Sequence, residues 1–145
     1  MKTTGATRRV EDRTAGCVLH VAFELDDEGW KLAFGTELSG RAWLRRVRPR
    51  DREAVLREIR VAKRRFGLEP DRRVVSCYEA GREGFWLDRW LVSEGIDNRV
   101  VDSSSIEVNR RARRAKADRL DAEKLLRLLI RHESGERKVW SVVRV

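Results

Sequence analysis

Metal-binding side chains of the soft kind are scarce in this sequence. Two cysteines and two histidines occur in 145 residues. Cys17 and Cys77 each stand alone on an apolar run, without a C-x-x-C pair or a cluster of histidines beside them. The sequence therefore predicts buried thiols and argues against a zinc site.

Long apolar segments are missing as well. No run approaches the roughly 18 apolar residues of a membrane span, and the N-terminal stretch MKTTGATRRVEDRT lacks the apolar centre of a signal peptide. We therefore expect a cytoplasmic protein with no membrane partner. We expect residues 1–15, which are polar and aperiodic, to form a flexible arm.

Positive charge is what the sequence has in excess. Lysine and arginine number 33 against 24 acids, which gives a net charge of +9. Such a balance predicts a polyanionic partner, of which nucleic acid is the commonest and an acidic membrane surface the weaker alternative. The length is most simply that of one domain with its own core.

Strand and helix patterns alternate along the chain. Leu19, Val21, Phe23 and Leu25 line one face of a first strand whose other face is also largely apolar, as in a strand covered on both sides. Asp51 is a good N-cap for a helix that closes at Gly67. Arginines in the third strand indicate an exposed edge. The predicted elements are strands 17–25, 30–34, 42–47, 73–78 and 97–101, and helices 51–67, 85–95 and 109–131.

This order of elements predicts an α/β protein of the ribonuclease-H-like (RuvC-like) class. Such a fold has a mixed five-stranded sheet with a hairpin at one edge and helices on both faces. A Rossmann-like domain also alternates strands and helices, but no G-x-G-x-x-G follows the first strand. Phe85, Trp86 and Trp90 repeat at helical spacing, which favours core packing over base stacking.

Two aspartates in the last helical stretch follow a dense basic run. Asp118 and Asp121 continue the apolar stripe of Leu125, Leu128 and His132, which predicts that both carboxylates point inward. The alternative is that Asp118 caps the helix and Asp121 is its third residue. The run that precedes and surrounds them would grip phosphates: Arg110, Arg111, Arg113, Arg114, Lys116 and Arg119.

Two further acids close predicted strands, Glu24 the first and Glu79 the fourth. In the predicted fold both would lie beside Asp118 and Asp121, so that four carboxylates converge. Bound Mg²⁺ (or Mn²⁺) would relieve their repulsion, because these ions prefer oxygen ligands and support phosphodiester chemistry. The alternatives are an ordinary acid at a strand end for Glu24 and a helix-start acid for Glu79.

Three stretches together resemble a known family: VAFELDDEGWKLAF, CYEAGREGFW and AKADRLDAEKLLRLL. They are similar to the DEDD transposases of the insertion-sequence one-ten family, whose N-terminal domain is similar to the RuvC Holliday-junction resolvase. The resemblance covers residue 17 to the C-terminus. It implies that Glu24, Glu79, Asp118 and Asp121 hold the metal and carry catalysis, with DNA, a guide RNA and a homo-oligomer of the full-length protein as partners.

Two departures from that pattern shape the expectations. Glu24 stands where the family has Asp, so that Asp26, on the same face, is an alternative first ligand. The family continues beyond the point where this sequence ends, so we expect a RuvC-like domain at 16–133, with 134–145 beginning a connection to a further region. A non-catalytic nucleic-acid-binding remnant of the same fold is the rival interpretation. An actin-like or sugar-kinase half is disfavoured, because no glycine-rich phosphate loop is present.

Overall fold

Five strands form one mixed sheet in the computed structural model, which describes residues 17–37, 40–106 and 120–144. The strands lie in the order β3-β2-β1-β4-β5. β1, β2 and β3 form an antiparallel meander, while β4 and β5 run parallel to β1. Their bounds are β1 Leu19–Leu25, β2 Trp30–Gly35, β3 Trp43–Val47, β4 Val74–Glu79 and β5 Asp97–Val101.

Helices cover both faces of this sheet. α1 (Arg52–Arg65) and α2 (Trp86–Ser93) pack with one set of strand side chains, which includes Val21, Phe23 and Tyr78. α3 (Ala122–Glu133) packs with the alternate set, which includes Ala22 and Cys77. Because successive strand residues point to opposite faces, the two clusters lie on opposite sides of the sheet. The expectation of an α/β protein with a mixed five-stranded sheet is confirmed.

Local chemistry explains where α1 begins and ends. The Asp51 carboxylate accepts a hydrogen bond from the Ala54 amide at 3.0 Å and so caps the first turn. Gly67 follows the helix with a φ of 71°, a left-handed conformation that glycine adopts without strain. Val55, Ile59 and Ala62 are buried, as their helical spacing predicts.

β3 is the exposed edge that its arginines predict. Leu44 is 52% exposed, and Arg45 and Arg46 are exposed beside it. The opposite edge is partly covered, because Val142 forms an antiparallel bridge to Val101 of β5. The preceding short 3₁₀ helix, Arg137–Val139, brings Trp140 into contact with His132 at 5.8 Å between ring centroids. The described part of 134–145 is thus packed on the domain.

Two expectations about the helices are wrong. Of the predicted helix 109–131, the described part begins at Ala122, with Asp121 as its N-cap outside the helix, while residues 109–119 fall outside the described residues. Phe85 precedes α2 and is 39% exposed, so it is not on the core side of that helix, whereas Leu87 and Leu91 are fully buried. α2 starts after a turn at residues 82–85, and α3 starts after Asp121, whose backbone is extended.

The thiols behave largely as expected. Cys77 is fully buried and Cys17 partly so. Burial raises the pKa of the Cys77 thiol well above its usual value, which keeps the sulfur protonated and unreactive. Within the described ranges, no helix has the length and apolar character needed to span a membrane.

Candidate acidic site at the start of the last helix

The ends of two neighbouring parallel strands bring two of the predicted acids together. Phe23 of β1 pairs with Tyr78 of β4, and the next residues along these strands are Glu24 and Glu79. Because side chains alternate along a strand, both glutamates are on the face that α3 covers. The sheet register therefore directs both carboxylates toward the start of α3.

Each glutamate accepts a hydrogen bond from the backbone there. Oε1 of Glu24 accepts from the Ala122 amide at 3.1 Å, and Oε1 of Glu79 accepts from the Leu120 amide at 3.0 Å. Glu79 is 9% exposed and Glu24 is partly buried. The first amides of a helix lack partners within the helix and carry a partial positive charge, so they stabilise nearby carboxylates.

Asp121 lies between these two amides but does not share the glutamates' role. Its carboxylate accepts from the Lys124 amide at 2.8 Å, and its side chain is exposed. The expectation that Asp121 points inward is therefore wrong. The capping alternative describes it better, with Asp121 as the N-cap itself rather than the third helical residue.

The remaining acid, Asp118, falls outside the described residues, as do Arg110, Arg111, Arg113, Arg114, Lys116 and Arg119. Across the ranges that the structure describes, no three His, Cys, Asp or Glu side chains are grouped to hold a metal ion. Two strand-end carboxylates are hard oxygen donors of the type Mg²⁺ prefers. Oε2 of Glu24 has no hydrogen-bond partner among the described residues, so Glu24 could bind a cation without releasing Ala122.

Asp26, the alternative first ligand, lies in the turn between β1 and β2 and is exposed. Its carboxylate accepts from the Glu28 amide at 3.4 Å, within the same turn. Asp26 therefore stabilises only its own turn, whereas Glu24 connects β1 to α3. The structure places it one residue beyond the end of β1, so it is close in sequence to the site but not attached to α3.

An ion pair beside Glu79 is not evident from the sequence. Arg82 pairs with Asp27 and so ties the loop after β4 to the β1–β2 turn. Leu25, Asp27, Glu79, Arg82 and Glu83 line a cavity of about 10 Å³, close to the space that one water molecule needs. The sequence shows a cation, Arg82, in the GREG stretch after β4. It does not show the partner, because Asp27 is 55 residues away and such a pair leaves no local pattern.

The loop that carries Arg82 is anchored by Tyr78 and Glu83. The Tyr78 hydroxyl donates to the Gly84 carbonyl at 2.7 Å and accepts from the Asp88 amide at 3.2 Å. Burial raises the pKa of Tyr78 to about 12, so the hydroxyl stays a donor at neutral pH. Glu83 is buried, pairs with Arg50 at 2.8 Å and accepts from Trp86 Nε1 at 2.8 Å. These contacts fix the loop next to the acidic site.

Comparison with known proteins gives one informative relative. The chain is 48% identical over 67 residues to "Putative transposase y4rJ" of Sinorhizobium fredii (strain NBRC 101917 / NGR234). The aligned stretch is 46% of this chain and 17% of that protein, so the chain spans less than a fifth of its relative. No family model matches the chain. No solved structure matches it. The chain is thus similar to part of a transposase.

Proposed function

We propose that this chain is the ribonuclease-H-like catalytic domain of a DNA transposase or recombinase. Its reaction would be metal-dependent phosphodiester cleavage and strand transfer in the mobility of an insertion sequence. The observation that carries the proposal is the meeting of Glu24 and Glu79 at the start of α3. The transposase relative supports the same class of function.

The proposed metal ligands are Glu24, Glu79, Asp118 and Asp121, and the ion is Mg²⁺ or Mn²⁺. A bound divalent ion would supply charge stabilisation at the oxygens of the phosphate that reacts. The chain's own part is to fix the carboxylates: Glu24 and Glu79 are placed by the two strand ends and oriented by the backbone amides of Ala122 and Leu120. The basic run 110–119 would hold the DNA backbone. A guide RNA, a homo-oligomer of the full-length protein and a cytoplasmic location belong to the same proposal.

A specific observation favours the second candidate, a nucleic-acid-binding module without chemistry. Glu24, Glu79 and Asp121 each accept a hydrogen bond from a backbone amide at the start of α3. The amides already relieve part of the cost of burying these acids. The acids could therefore be retained for helix capping alone.

Cleavage assays with charge-neutral substitutions separate the two candidates. Asparagine caps helices about as well as aspartate, so Asp121→Asn keeps the N-cap of α3 while it removes a metal ligand. We expect Asp118→Asn with Asp121→Asn to abolish Mn²⁺-dependent cleavage of a branched DNA without a loss of thermal stability in EDTA. Glu28→Gln, in the exposed β1–β2 turn, is the matched control and should cleave normally.

Three single variants identify the first ligand. If Glu24 is the ligand, Glu24→Gln abolishes cleavage, Glu24→Asp keeps or improves it, and Asp26→Asn is mild. If Asp26 has taken the role, Asp26→Asn is the inactive variant. Cleavage that persists in EDTA would contradict a metal-dependent reaction, and DNA binding without any cleavage by the wild-type chain would leave the binding module as the function.

A further inference from the structure

Nearly all of the net charge of the chain is concentrated in one stretch. Residues 41–65 contain eleven arginines and lysines and three acids, which leaves +8 of the total +9. This stretch contains β3 and α1, not the acidic site. A charge excess of this size on two adjacent elements is the electrostatic signature of a polyanion-binding surface.

The structure shapes part of this charge into a groove at the exposed edge of the sheet. The groove has a volume of about 970 Å³, and its lining includes Arg41, Trp43, Arg65, Phe66, Glu123 and Arg127. It lies where the start of β3, the end of α1 and the first half of α3 approach one another. We call it the edge groove.

Trp43 holds Arg65, which lines the edge groove, and Arg45, which lies beside it. The guanidinium groups of Arg45 and Arg65 each lie 5.0 Å from the centroid of its ring, within the range of a cation–π interaction. The ring itself is held by Phe34, whose centroid is 5.9 Å away. A fixed aromatic ring thus holds two arginines from different elements in place before any ligand arrives.

The acids of this stretch leave two of the groove's arginines uncompensated. Glu58 pairs with Arg45 at 2.8 Å, Asp51 caps α1, and Glu53 is exposed in the first turn of α1. Glu123 of the groove lining pairs with Arg127 at 3.7 Å. Among the described residues, Arg41 and Arg65 are exposed and have no carboxylate partner. Exposed arginines without an acid partner are suited to phosphate oxygens, which guanidinium groups bind through two parallel hydrogen bonds.

We propose that the edge groove binds the phosphate backbone of duplex DNA. Trp43 is partly buried and already engaged by two guanidinium groups, so base stacking of a single strand is disfavoured relative to backbone contact. The choice of DNA rests on the proposed transposase function. The binding surface itself rests on the charge and geometry of β3, α1 and α3.

The edge groove and the acidic site lie at neighbouring parts of the sheet and are connected through α3. Trp43 pairs with Phe34, and Phe34 pairs with Val21, which is three residues before Glu24. Three residues along a strand and two strands across the sheet correspond to roughly 14 Å. Trp43 and Glu24 project from opposite faces of the sheet, so the connection between the groove and the acidic site runs through α3, whose Arg127 lines the groove and whose Ala122 amide donates to Glu24.

Equilibrium binding of a short DNA duplex, followed by fluorescence anisotropy over a salt series in EDTA, tests the proposal. The variant is Arg41→Gln with Arg65→Gln, in which two exposed charges are removed without a core change. Its matched control is Arg89→Gln with Arg144→Gln, which removes two exposed charges outside the groove. If each groove arginine neutralises one phosphate, the slope of log K against log salt falls by about 1.8. At about 0.1 M salt the affinity then falls roughly 60-fold.

The affinity of the control double variant for DNA should fall by less than a tenth of the factor expected for the groove variant. The proposal would be overturned by equal losses of DNA affinity in the two double variants. It would also be overturned by an unchanged slope of log K against log salt in the groove variant. Tighter binding of duplex RNA than of duplex DNA would overturn the choice of DNA. Because EDTA removes divalent ions, the outcome is independent of catalysis. DNA binding that depends on Arg41 and Arg65, without any cleavage, would support the edge groove and contradict the catalytic function. Cleavage by a chain whose DNA binding does not depend on these arginines would support catalysis and contradict the edge groove.

Discussion

Replacing Glu24 by glutamine separates the two duties that its carboxylate could have. Glutamine keeps a side-chain oxygen that can accept from the Ala122 amide, which Glu24 does at 3.1 Å. It removes the negative charge, and with it most of the affinity for a divalent ion. The variant therefore tests charge at nearly constant shape.

The expected loss without metal is small. A carboxylate at a helix N-terminus contributes about 0.3–1 kcal/mol at an exposed position, and glutamine keeps the hydrogen bond from Ala122, so only the charge contribution is lost. In EDTA we expect Glu24→Gln to lower the free energy of unfolding by about 0.5 kcal/mol. For a domain of this size, that is a decrease in Tm of about 1–2 °C.

The expected difference with metal is larger. An ion at a hundred times its Kd adds about 2.7 kcal/mol to the stability of a protein that binds it only when folded. Wild type should then gain about 5–10 °C in Tm on addition of Mg²⁺ or Mn²⁺. Glu24→Gln should gain little, because one ligand charge is missing.

Thermal unfolding followed by circular dichroism, in EDTA and then in Mg²⁺, measures both effects. Glu28→Gln removes one exposed charge from the adjacent turn and should behave like wild type. An equal rise in Tm for wild type and Glu24→Gln would refute Glu24 as a ligand. No rise in wild type, together with a lower Tm of the variant in EDTA, would make Glu24 a helix-capping residue only.

Three further variants test other parts of the protein. Tyr78→Phe removes the hydroxyl that joins the Gly84 carbonyl to the Asp88 amide, so urea unfolding should show a loss of about 1–3 kcal/mol; a loss below about 0.5 kcal/mol would mean that these groups find other partners. Glu133 has a lowered pKa, because burial, which raises it, is outweighed by hydrogen bonds from Arg99 and His132. The stabilisation by the ionised Glu133 is therefore present above pH 4.5 and is lost as the pH falls through the folded-state pKa. Below pH 4.5, the free energy of unfolding should fall less steeply in Glu133→Gln than in wild type. Parallel pH profiles of the two proteins would contradict this. Replacing Arg110, Arg111, Arg113 and Arg114 by glutamine should lower the salt slope of DNA binding by about 0.9 for each phosphate that these arginines neutralise, whereas an unchanged slope would place the binding face elsewhere.

The fold could be predicted because its signals are local and periodic. β1 is apolar on both faces, which only a central strand requires, and the structure places it between β2 and β4. The repeat of Val55, Ile59 and Ala62 predicts α1, and its cap at Asp51 is the observed one. The pairing of the C-terminal segment with β5 was not predictable, since one bridge at Val142 leaves no pattern in the sequence.

The candidate site could be predicted only in part. The strand ends of Glu24 and Glu79 follow from the sheet, and these two acids do meet at α3. The orientation of the Asp121 side chain could not be predicted from helical spacing. Such spacing assigns a residue to one face of a helix only if the residue is itself part of the helix. The chain enters α3 at Ala122, so Asp121 has extended backbone torsions and its carboxylate folds back on the Lys124 amide. The basic stretch 41–65 stands out less in the sequence than the run 110–119, because its cations are spread over a strand and a helix that meet only in the folded chain.

Helix capping and metal binding are compatible at this site. A carboxylate has two oxygens, and in Glu24 only Oε1 accepts from the helix among the described residues, which fixes the side chain while leaving Oε2 available. Hydrogen bonds from backbone amides to metal-binding carboxylates are a usual way to orient ligands. What distinguishes a catalytic site from a capping site is then the number of acids beyond Glu24 and Glu79. Asp118 is decisive in this respect, because Asp121 has a structural duty that asparagine could perform equally well. If Asp118→Asn alone removes the Mg²⁺ effect on Tm, the acids work as a metal site, and α3 serves to hold them in place.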